Sequence, residues 1–299
     1  MVGRGVSYYD YCLWSNIRGV EMKFNKLSSE EKEIIEDGGT ELPHSGRYVD
    51  VFENGIYICK KCNTPLFKSE TKFQSHCGWP SFDLAIKDAI LSLPDKDGVR
   101  IEIRCNSCDG HLGHVFTGEN YTELDTRYCV NSVSMNFVNA ENLEVAYFSG
   151  GCFWGVEYHF GNTNGVLETE SGYMGGSVEN PHYKDICTGK TNHAETVRVV
   201  FNNNLISFKE IATLFFETHD PTQLNQQGAD IGTQYRSAVF YTTVEQKAIA
   251  QELIDELKAK SYNVVTEITA ATAFWRAEEY HQKYFSDNNA VCFARVKRF

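Results

Sequence analysis

The sequence predicts two domains of different class, a mainly antiparallel β domain followed by an α/β domain. A chain of 299 residues is long for one domain and comfortable for two. Up to about residue 140, short alternating apolar runs are separated by Gly, Pro and Asn, which is typical of antiparallel strands. Further on, strand patterns alternate with amphipathic helix patterns, as in an α/β or α+β sandwich. We therefore predict an N-terminal extension over 1–22, a β domain over 23–140, a short linker over 141–144 and an α/β domain over 145–299.

The composition argues against several classes of function. A net charge of −12 without a long basic run argues against nucleic-acid binding. No run of about eighteen apolar residues is present, so we expect no membrane span, and the first 21 residues lack the apolar stretch of a secretory signal. Ten cysteines, four of them in Cys-x-x-Cys pairs, indicate metal or redox chemistry in a reducing compartment, and we expect a cytoplasmic protein.

The first half is predicted to contain one short helix and four strands. Ser28-Ser29-Glu30-Glu31 places a capping serine three residues before a glutamate, which predicts a helix as far as about Glu36. Alternating apolar runs predict strands at Tyr48–Phe52, Gly55–Ile58, Val99–Ile103 and Tyr128–Phe137.

Two Cys-x-x-Cys pairs in this half indicate a metal centre. Four thiolates around one ion are the ligands that a structural zinc prefers. The gap between the pairs exceeds the usual zinc-ribbon spacing, so a small domain must fold between them. A thioredoxin-like redox pair is the alternative. The presence of two Cys-x-x-Cys pairs in the chain favours one structural zinc per chain. The four cysteines are Cys59, Cys62, Cys105 and Cys108.

The second half is predicted to contain alternating strands and helices. Strands are predicted at Val145–Ser149, Thr196–Phe201, Ala238–Tyr241 and Val264–Ile268. Ser207 to Glu210 and Thr242 to Glu245 have the pattern of capping boxes, which predict helices to about Thr218 and about Lys260.

Two further cysteines have unlike settings. Cys129 lies in an alternating run that predicts a strand, whereas Cys152 follows Gly150-Gly151 and opens a segment, Phe153 to Phe160, that is predicted to be helical. The N–H groups at a helix start favour a thiolate. For one isolated cysteine, a buried structural role is the ordinary alternative to catalysis.

Five motifs in the first half resemble, in this order, those of methionine sulfoxide reductase B. The match covers roughly residues 25 to 140 and implies a β-rich fold around zinc that reduces the R epimer of methionine sulfoxide. The motifs are Cys59-x-x-Cys62, Cys77-Gly78-Trp79-Pro80-Ser81-Phe82, Cys105-x-x-Cys108, His111-Leu112-Gly113-His114-Val115-Phe116 and Arg127-Tyr128-Cys129-Val130-Asn131-Ser132.

The resemblance implies a role for each matching residue. Cys129 would be the nucleophile and Cys77 the resolving cysteine, while Arg127 would support the thiolate. Trp79 would pack against the substrate methyl group, and the sulfoxide oxygen and its protons would be handled by His111, His114 and Asn131. Family members often carry an acid just after His-Val-Phe; here the residues are Thr117-Gly118-Glu119, so such a role would pass to Glu119.

The second half is similar to methionine sulfoxide reductase A over about residues 145 to 290, which implies reduction of the S epimer. The matching motifs are Gly150-Gly151-Cys152-Phe153-Trp154-Gly155, Ser171-Gly172-Tyr173-x-Gly175-Gly176, Asn180-Pro181-His182-Tyr183, His193-Ala194-Glu195, His219-Asp220-Pro221-Thr222 and Gly228-Ala229-Asp230-x-Gly232-Thr233-Gln234-Tyr235-Arg236-Ser237.

Roles in this half follow from the same resemblance. Cys152 would be the nucleophile and Glu195 the acid that protonates the sulfoxide oxygen. Tyr183, Asp230 and Tyr235 would hydrogen-bond around that oxygen, and Phe153 and Trp154 would hold the methyl group. Taken without the family, Glu195 could equally be a surface acid.

The resolving cysteine of this half is the open point. Cys292 stands alone in the polar tail and is our candidate, with Cys187 as the alternative. A sulfenic acid that condenses with a second cysteine gives a disulfide, and an external dithiol must reduce it, for which thioredoxin is the expected donor. The substrates would be free or protein-bound oxidised methionine, and no organic cofactor is expected. A zinc-knuckle interaction module and a thiol peroxidase or disulfide exchanger remain the alternative functions.

Overall fold

The computed structural model describes residues 24–288 and 295–299. Of these, the residues up to Leu143 form one compact unit and those from Glu144 onward form another. The predicted N-terminal extension and Cys292 lie outside the described residues. Among the helices of the described ranges, none has the length and apolar character needed to cross a bilayer.

The N-terminal unit is mainly antiparallel β, as the sequence predicts. Its strands form a three-stranded sheet and a six-stranded sheet. In chain order its elements are α1 (Ser29–Ile35), β1 (Gly55–Cys59), β2 (Pro65–Lys68), β3 (Lys72–Phe73), β4 (Ser81–Phe82), β5 (Ile90–Pro94), β6 (Ile101–Cys105), β7 (His111–Thr117), β8 (Thr126–Val130) and β9 (Met135–Asn139). The strand orders are β2-β1-β9 and β3-β4-β8-β7-β6-β5.

Aromatic side chains fill the core of this unit. Tyr57, Phe67 and Phe82 are fully buried, and the rings of Phe67 and Phe82 stack with centroids 4.3 Å apart. Burial of each such side chain stabilises the fold by about 1.5–3 kcal/mol. The capping box at Ser28 forms as predicted, with the Glu31 N–H donating to the serine hydroxyl.

Two of the predicted strands in this unit are wrong in whole or in part. The strand predicted at Tyr48–Phe52 is absent: residues 48–50 lie in a turn and residues 51–52 in irregular structure, because the Tyr48 N–H donates to the Ser132 hydroxyl and the Val49 N–H to the Gly46 carbonyl. Tyr128–Phe137 is two strands of different sheets, β8 and β9, separated by a 3₁₀ turn at Ser132–Ser134. The alternation continues through this turn, so periodicity alone does not reveal the break.

The C-terminal unit is an α/β domain, again as predicted. Its six-stranded sheet has the order β16-β15-β10-β12-β11-β17. The elements are β10 (Leu143–Gly150), α2 (Phe153–Gly161), β11 (Val166–Met174), α3 (Tyr183–Ile186), β12 (Ala194–Asn202), α4 (Phe208–Thr218), β13 (Gln226–Gln227), β14 (Asp230–Ile231), β15 (Ser237–Tyr241), α5 (Val244–Ala259), β16 (Glu267–Ala270), β17 (Trp275–Arg276) and α6 (Tyr284–Asp287).

Helices α2, α4 and α5 bury their apolar faces in one core with the sheet. The Phe148 ring of β10 lies 5.2 Å from that of Phe160 and 5.0 Å from that of Phe215. Two boundaries differ from the prediction: the last parallel strand begins at Glu267 rather than Val264, and the N-cap of α5 is Thr243. Strand β11 was not predicted.

The last five residues pack onto the end of α4. Arg295 pairs with Glu217, which is 2% exposed, and the Val296 N–H donates to the Glu217 carbonyl at 2.9 Å. The Phe299 ring lies 6.3 Å from that of Phe216. These contacts fix the chain end to the domain core.

Candidate active sites and candidate metal centre

Four cysteine side chains meet at the edge of the N-terminal unit. Cys59 and Cys105 end strands β1 and β6, and Cys62 and Cys108 lie in the turns that follow. The four Sγ atoms lie within 4.8 Å of one another, with 3.6 Å between Cys59 and Cys108 and between Cys62 and Cys105. Two separate redox pairs would not need to converge in this way.

This cluster fits a tetrahedral cation. Zinc–thiolate bonds of about 2.3 Å give sulfur–sulfur edges of about 3.8 Å in a regular tetrahedron. The observed separations bracket that edge. All four donors are sulfur, which favours zinc over harder cations.

Cys129 lies on strand β8 beside a second thiol. The Cys129 and Cys77 sulfurs are 3.7 Å apart, although 52 residues separate them in the chain. A disulfide would require an approach of roughly 1.7 Å to reach a bond length of about 2.05 Å. Gly113 of β7 has a φ of 151°, and a Cβ there would lie 2.0 Å from the Cys129 carbonyl oxygen. Glycine is therefore needed for the close approach of these strands.

One hydrogen bond joins the two thiols, and they share its proton. The hydrogen bond from Cys129, with further bonds to the hydroxyls of Ser75 and Ser81, lowers the pKa of Cys77 to about 4. The same hydrogen bond, together with burial, raises the pKa of Cys129, while Arg127 acts in the opposite direction. A thiolate on Cys129 therefore forms when its proton passes to Cys77.

Arg127 is held two residues before Cys129 by Glu119. The Glu119 carboxylate accepts from Nε at 2.7 Å and from Nη2 at 2.9 Å, and the guanidinium lies 4.4 Å from the centroid of the Phe116 ring. The third nitrogen, Nη1, is buried without a partner among the described residues. A bidentate pair of this kind fixes the guanidinium plane.

The predicted histidines lie on β7, each paired with a carboxylate. His111 Nδ1 lies 2.6 Å from Glu102, and His114 Nε2 lies 2.7 Å from Asp95. His114 is the register partner of Cys129 across the β7–β8 ladder. Burial lowers the pKa of His111, with Glu102 acting in the opposite direction.

The remaining predicted residues of this site are tied together by Glu41. The Asn131 amide accepts from the Glu41 N–H at 3.1 Å and donates to the Leu112 carbonyl at 3.2 Å. The Trp79 indole N–H donates to the Glu41 carbonyl at 3.2 Å. The sequence did not identify Glu41, Asp95 and Glu102. Each contacts a site residue that is distant in the sequence, and no motif indicates such a contact.

In the C-terminal unit, Cys152 caps helix α2. The turn before it needs Gly151, because its φ is 90° and a Cβ there would lie 2.6 Å from Gln227. The thiol is half-buried, and the first turn of α2, whose N–H groups have no partner within the helix, begins at the next residue. The strand, glycine turn and helix agree with the prediction from the sequence.

Glu195 is a buried acid at the start of the same helix. It is 2% exposed on β12, and its carboxylate accepts the Phe153 N–H at 3.1 Å. Burial raises the pKa of Glu195 to about 8, with the nearby Asp230 acting in the same direction. Glu195 is therefore protonated at neutral pH and not a surface acid.

Polar residues predicted for this site surround Glu195. Burial raises the pKa of Tyr183, as do the charge of Glu195 and a hydrogen bond with Cys187. Burial, Glu195 and Asp230 likewise raise the pKa of Tyr235. Asp230 lies on the short strand β14 and is more exposed than Glu195.

The two aromatic residues after Cys152 differ in exposure. Phe153 is 1% exposed and its ring packs 5.1 Å from that of His281. Trp154 is partly buried, stacks on Tyr284 at 3.7 Å and donates its indole N–H to His281 at 3.2 Å. His281 and Tyr284 are site neighbours that lie more than 120 residues away in the chain, and the sequence assigned them no role.

A cavity of about 260 Å³ also opens beside Cys152. Asp230 and His219 line it, and so do Val296 and Arg298 of the chain end. Cys187 is exposed at the end of α3. The cavity thus joins the region of Cys152 to the anchored tail.

Two family models match the chain in adjacent segments. The model of the SelR domain matches residues 27–139. The model described as peptide methionine sulfoxide reductase matches residues 144–298, just over half of the chain.

Curated proteins and solved structures are similar to about half of the chain. Peptide methionine sulfoxide reductase MsrA of Deinococcus radiodurans is 51% identical over 148 residues, 48% of this chain and 72% of that protein. The MsrA of Acidobacterium capsulatum is 51% identical over 151 residues, 49% of this chain and 97% of that protein. The crystal structure of reduced Mxr1 from Saccharomyces cerevisiae is 30% identical, with a TM-score of 0.49 over 54% of this chain and 93% of that one.

The two family models fall on the two units that the structure separates, and each unit holds one of the two cysteine sites described above. The chain therefore belongs to the peptide methionine sulfoxide reductase family and carries a SelR domain, the methionine sulfoxide reductase B type, ahead of the domain that defines the family.

Proposed function

We propose that the two domains reduce the two epimers of methionine sulfoxide at separate sites, the R epimer at Cys129 and the S epimer at Cys152. The observation that carries this proposal is the buried Glu195 carboxyl, which accepts the Phe153 N–H at the start of the helix where Cys152 is the N-cap residue, and whose pKa burial raises to about 8. An acid that is neutral at pH 7 can protonate a weakly basic oxygen, and a thiolate beside it can attack the sulfur. A structural cysteine would need no such neighbour.

The same chemistry serves both sites. The thiolate attacks the sulfoxide sulfur while an acid protonates the sulfoxide oxygen. The bond from that oxygen to the methionine sulfur breaks and a bond to the cysteine sulfur forms. Methionine sulfur is thus reduced by two electrons, and the cysteine is oxidised to a sulfenic acid. A second thiol then displaces water and leaves a disulfide.

In the N-terminal domain, Cys77 is the resolving thiol because its sulfur already lies 3.7 Å from Cys129. Arg127 stabilises the Cys129 thiolate, as its effect on the pKa of that thiol indicates. His111, His114 and Asn131 serve the sulfoxide oxygen, and Trp79 packs against the methyl group.

In the C-terminal domain, Glu195 protonates the sulfoxide oxygen. Tyr183, Tyr235 and Asp230 hydrogen-bond around it, which the electrostatic coupling of both tyrosines to Glu195 supports. Trp154 provides the aromatic wall for the methyl group, and Phe153 supports that wall from the core.

Cys292 resolves Cys152. Arg295, three residues further on, pairs with buried Glu217, and Val296 and Arg298 line the cavity beside Cys152. Peptide mapping of disulfides after one turnover with the S epimer tests this step; a bond from Cys152 to Cys187 would reassign it.

The four-cysteine cluster binds one structural zinc. Its ligands are Cys59, Cys62, Cys105 and Cys108, and four thiolates fill the tetrahedral coordination of a structural zinc. When bound, the ion holds the ends of β1 and β6 together. No organic cofactor is required, because the cysteines carry the electrons.

The reductant is a thioredoxin, since a disulfide in each domain must be returned to the dithiol by an external dithiol. Oxidised methionine, free or in proteins, is the substrate. The alternative functions are a zinc-knuckle module, which would leave Cys129 and Cys152 inert, and a thiol peroxidase or disulfide exchanger.

One assay separates these functions. The purified chain is given each sulfoxide epimer with dithiothreitol, and the methionine product is measured. Reduction of both epimers is expected. Peroxide consumption without sulfoxide reduction would favour the peroxidase, and no turnover at all would favour the interaction module.

A further inference from the structure

We propose that Asp95 is a positioning residue for reduction of the R epimer, because its carboxylate holds His114 through Nε2 and so presents Nδ1 to the sulfoxide oxygen. This inference rests on the proposed function of the N-terminal domain and adds to it a residue that the motifs do not include.

Asp95 begins the turn between β5 and β6. Its Oδ2 lies 2.7 Å from His114 Nε2 and 3.0 Å from the Arg100 guanidinium, and its Oδ1 accepts the Lys96 N–H. The Asp95 N–H in turn donates to the Arg100 carbonyl at 2.9 Å. Both carboxylate oxygens are therefore engaged, and the side chain has one orientation.

Of the two histidines, His114 is the one with reach to the reacting sulfur. It lies directly opposite Cys129 in the β7–β8 register, and such partners have Cβ atoms about 4.5–5.5 Å apart. His111 is held by Glu102 through the other ring nitrogen, and its Nε2 is buried with no partner among the residues described. The two carboxylates thus hold the two imidazoles by opposite nitrogens.

The tautomer of His114 follows from Asp95. An ionised carboxylate only accepts hydrogen bonds, so Nε2 must carry the proton that points at Oδ2. Nδ1 is then the nitrogen that gains and loses a proton. In the protonated imidazole, Nδ1–H donates to the sulfoxide oxygen as Cys129 attacks the sulfur, and the proton leaves with the oxygen in the sulfenic acid.

Asp95→Asn would reverse this arrangement. With its oxygen on the Lys96 N–H, the amide places its nitrogen where Oδ2 faced His114 and Arg100; in the opposite orientation, a neutral oxygen replaces the charge that both of these donors face. The first orientation acts on the tautomer of His114. An amide N–H donates to Nε2, which places the single ring proton on Nδ1. The doubly protonated imidazole of His114 would then face a hydrogen-bond donor at Nε2 instead of an acceptor. Its formation would be disfavoured, and His114 would no longer donate a proton to the sulfoxide oxygen.

The test is the kinetics of Asp95→Asn on the R epimer, with Asp97→Asn as the matched control. Asp97 lies in the same turn and accepts from the N–H groups of Val99 and Arg100, but it has no recorded contact with His114. We expect kcat of Asp95→Asn to fall about 100-fold with KM changed by less than about threefold. Asp97→Asn should keep both constants, and Asp95→Glu, which restores a carboxylate, should recover part of kcat.

The S-epimer rate and the metal content of each variant report on folding. If Asp95→Asn kept kcat within about twofold of the parent, or if Asp97→Asn lost as much activity, the positioning role would be refuted. Absence of R-epimer reduction in the unmodified protein would instead refute the proposed function of the domain.

Discussion

Glu195 is a carboxylic acid that its surroundings keep protonated at neutral pH. Its side chain is 2% exposed, and the hydrogen bond that it accepts from the Phe153 N–H does not offset the loss of hydration. A pKa of about 8 is suited to a proton donor that works near pH 7.

The rate of S-epimer reduction should therefore fall as pH rises through about 8, because Glu195 then loses its proton. Glu195→Gln, which has no acidic proton, should lower the rate by about 10²- to 10⁴-fold throughout. Single-turnover rates between pH 6 and 9 measure both effects. The R-epimer rate of the same variant is the control and should equal that of the parent protein.

The same substitution should stabilise the C-terminal domain. At pH 7, Glu195 is neutral in the folded chain, whereas its ordinary pKa of 4.5 leaves it ionised in the unfolded chain. The unfolded state binds fewer protons, so stability falls as pH rises from about 4.5 to about 8, and the cost at pH 7 is about 3 kcal/mol. Glu195→Gln removes this cost and keeps an acceptor for the Phe153 N–H. Calorimetry at pH 7 should give a higher Tm; a lower Tm would show that the acid stabilises the fold.

At the scale of elements, the cysteine cluster ties two separate strand ends. Cys59 ends β1 in the three-stranded sheet, and Cys105 ends β6 in the six-stranded sheet. A cation held by both pairs therefore joins the two sheets of the N-terminal domain. Without it, four thiols would remain crowded within 4.8 Å.

Removal of the metal should unfold the N-terminal domain and leave the other folded, because site formation and folding are coupled. Metal analysis should find about one zinc per chain. After chelation, R-epimer activity should be lost and the β-type circular dichroism should decrease, while S-epimer activity and the signal of the C-terminal domain stay. A metal-free preparation that reduced the R epimer would contradict this expectation.

The element pattern shows what the sequence can and cannot reveal. Capping at Ser28 and the helix after Cys152 were predicted because their determinants are local. The break between β8 and β9 was missed, because the turn at Ser132–Ser134 depends on Glu41, whose carboxylate accepts the Ser132 N–H from 91 residues away. The prediction of a strand at Tyr48 was wrong for a related reason: the Tyr48 N–H donates to the Ser132 hydroxyl and not to a neighbouring strand.

The same difference between local determinants and distant contacts applies to the residues of the candidate sites. Motif residues such as Cys129 and Cys77 are brought together in space. The carboxylates that hold the histidines, Asp95 and Glu102, could not be found, because their partners lie 19 and 9 residues away and carry no fixed spacing. Fold contacts rather than composition identify them.

At the scale of the molecule, the described residues build a main hydrophobic core in each unit, and the two proposed sites share no residue. Cys129→Ser should abolish reduction of the R epimer and keep that of the S epimer, and Cys152→Ser should do the reverse. Product analysis with each epimer and dithiothreitol measures both rates in one preparation. Loss of both activities in either variant would show that the sites are coupled.

The shared proton of Cys77 and Cys129 has a consequence for chemical labelling. Alkylating reagents select thiolates, and between pH 5 and 7 the negative charge of this pair lies on Cys77, whose pKa is about 4. A reagent such as iodoacetamide should therefore modify Cys77 before Cys129. The residue that a thiol probe marks first in this domain is the one that carries the resting charge, and not the one that attacks the substrate.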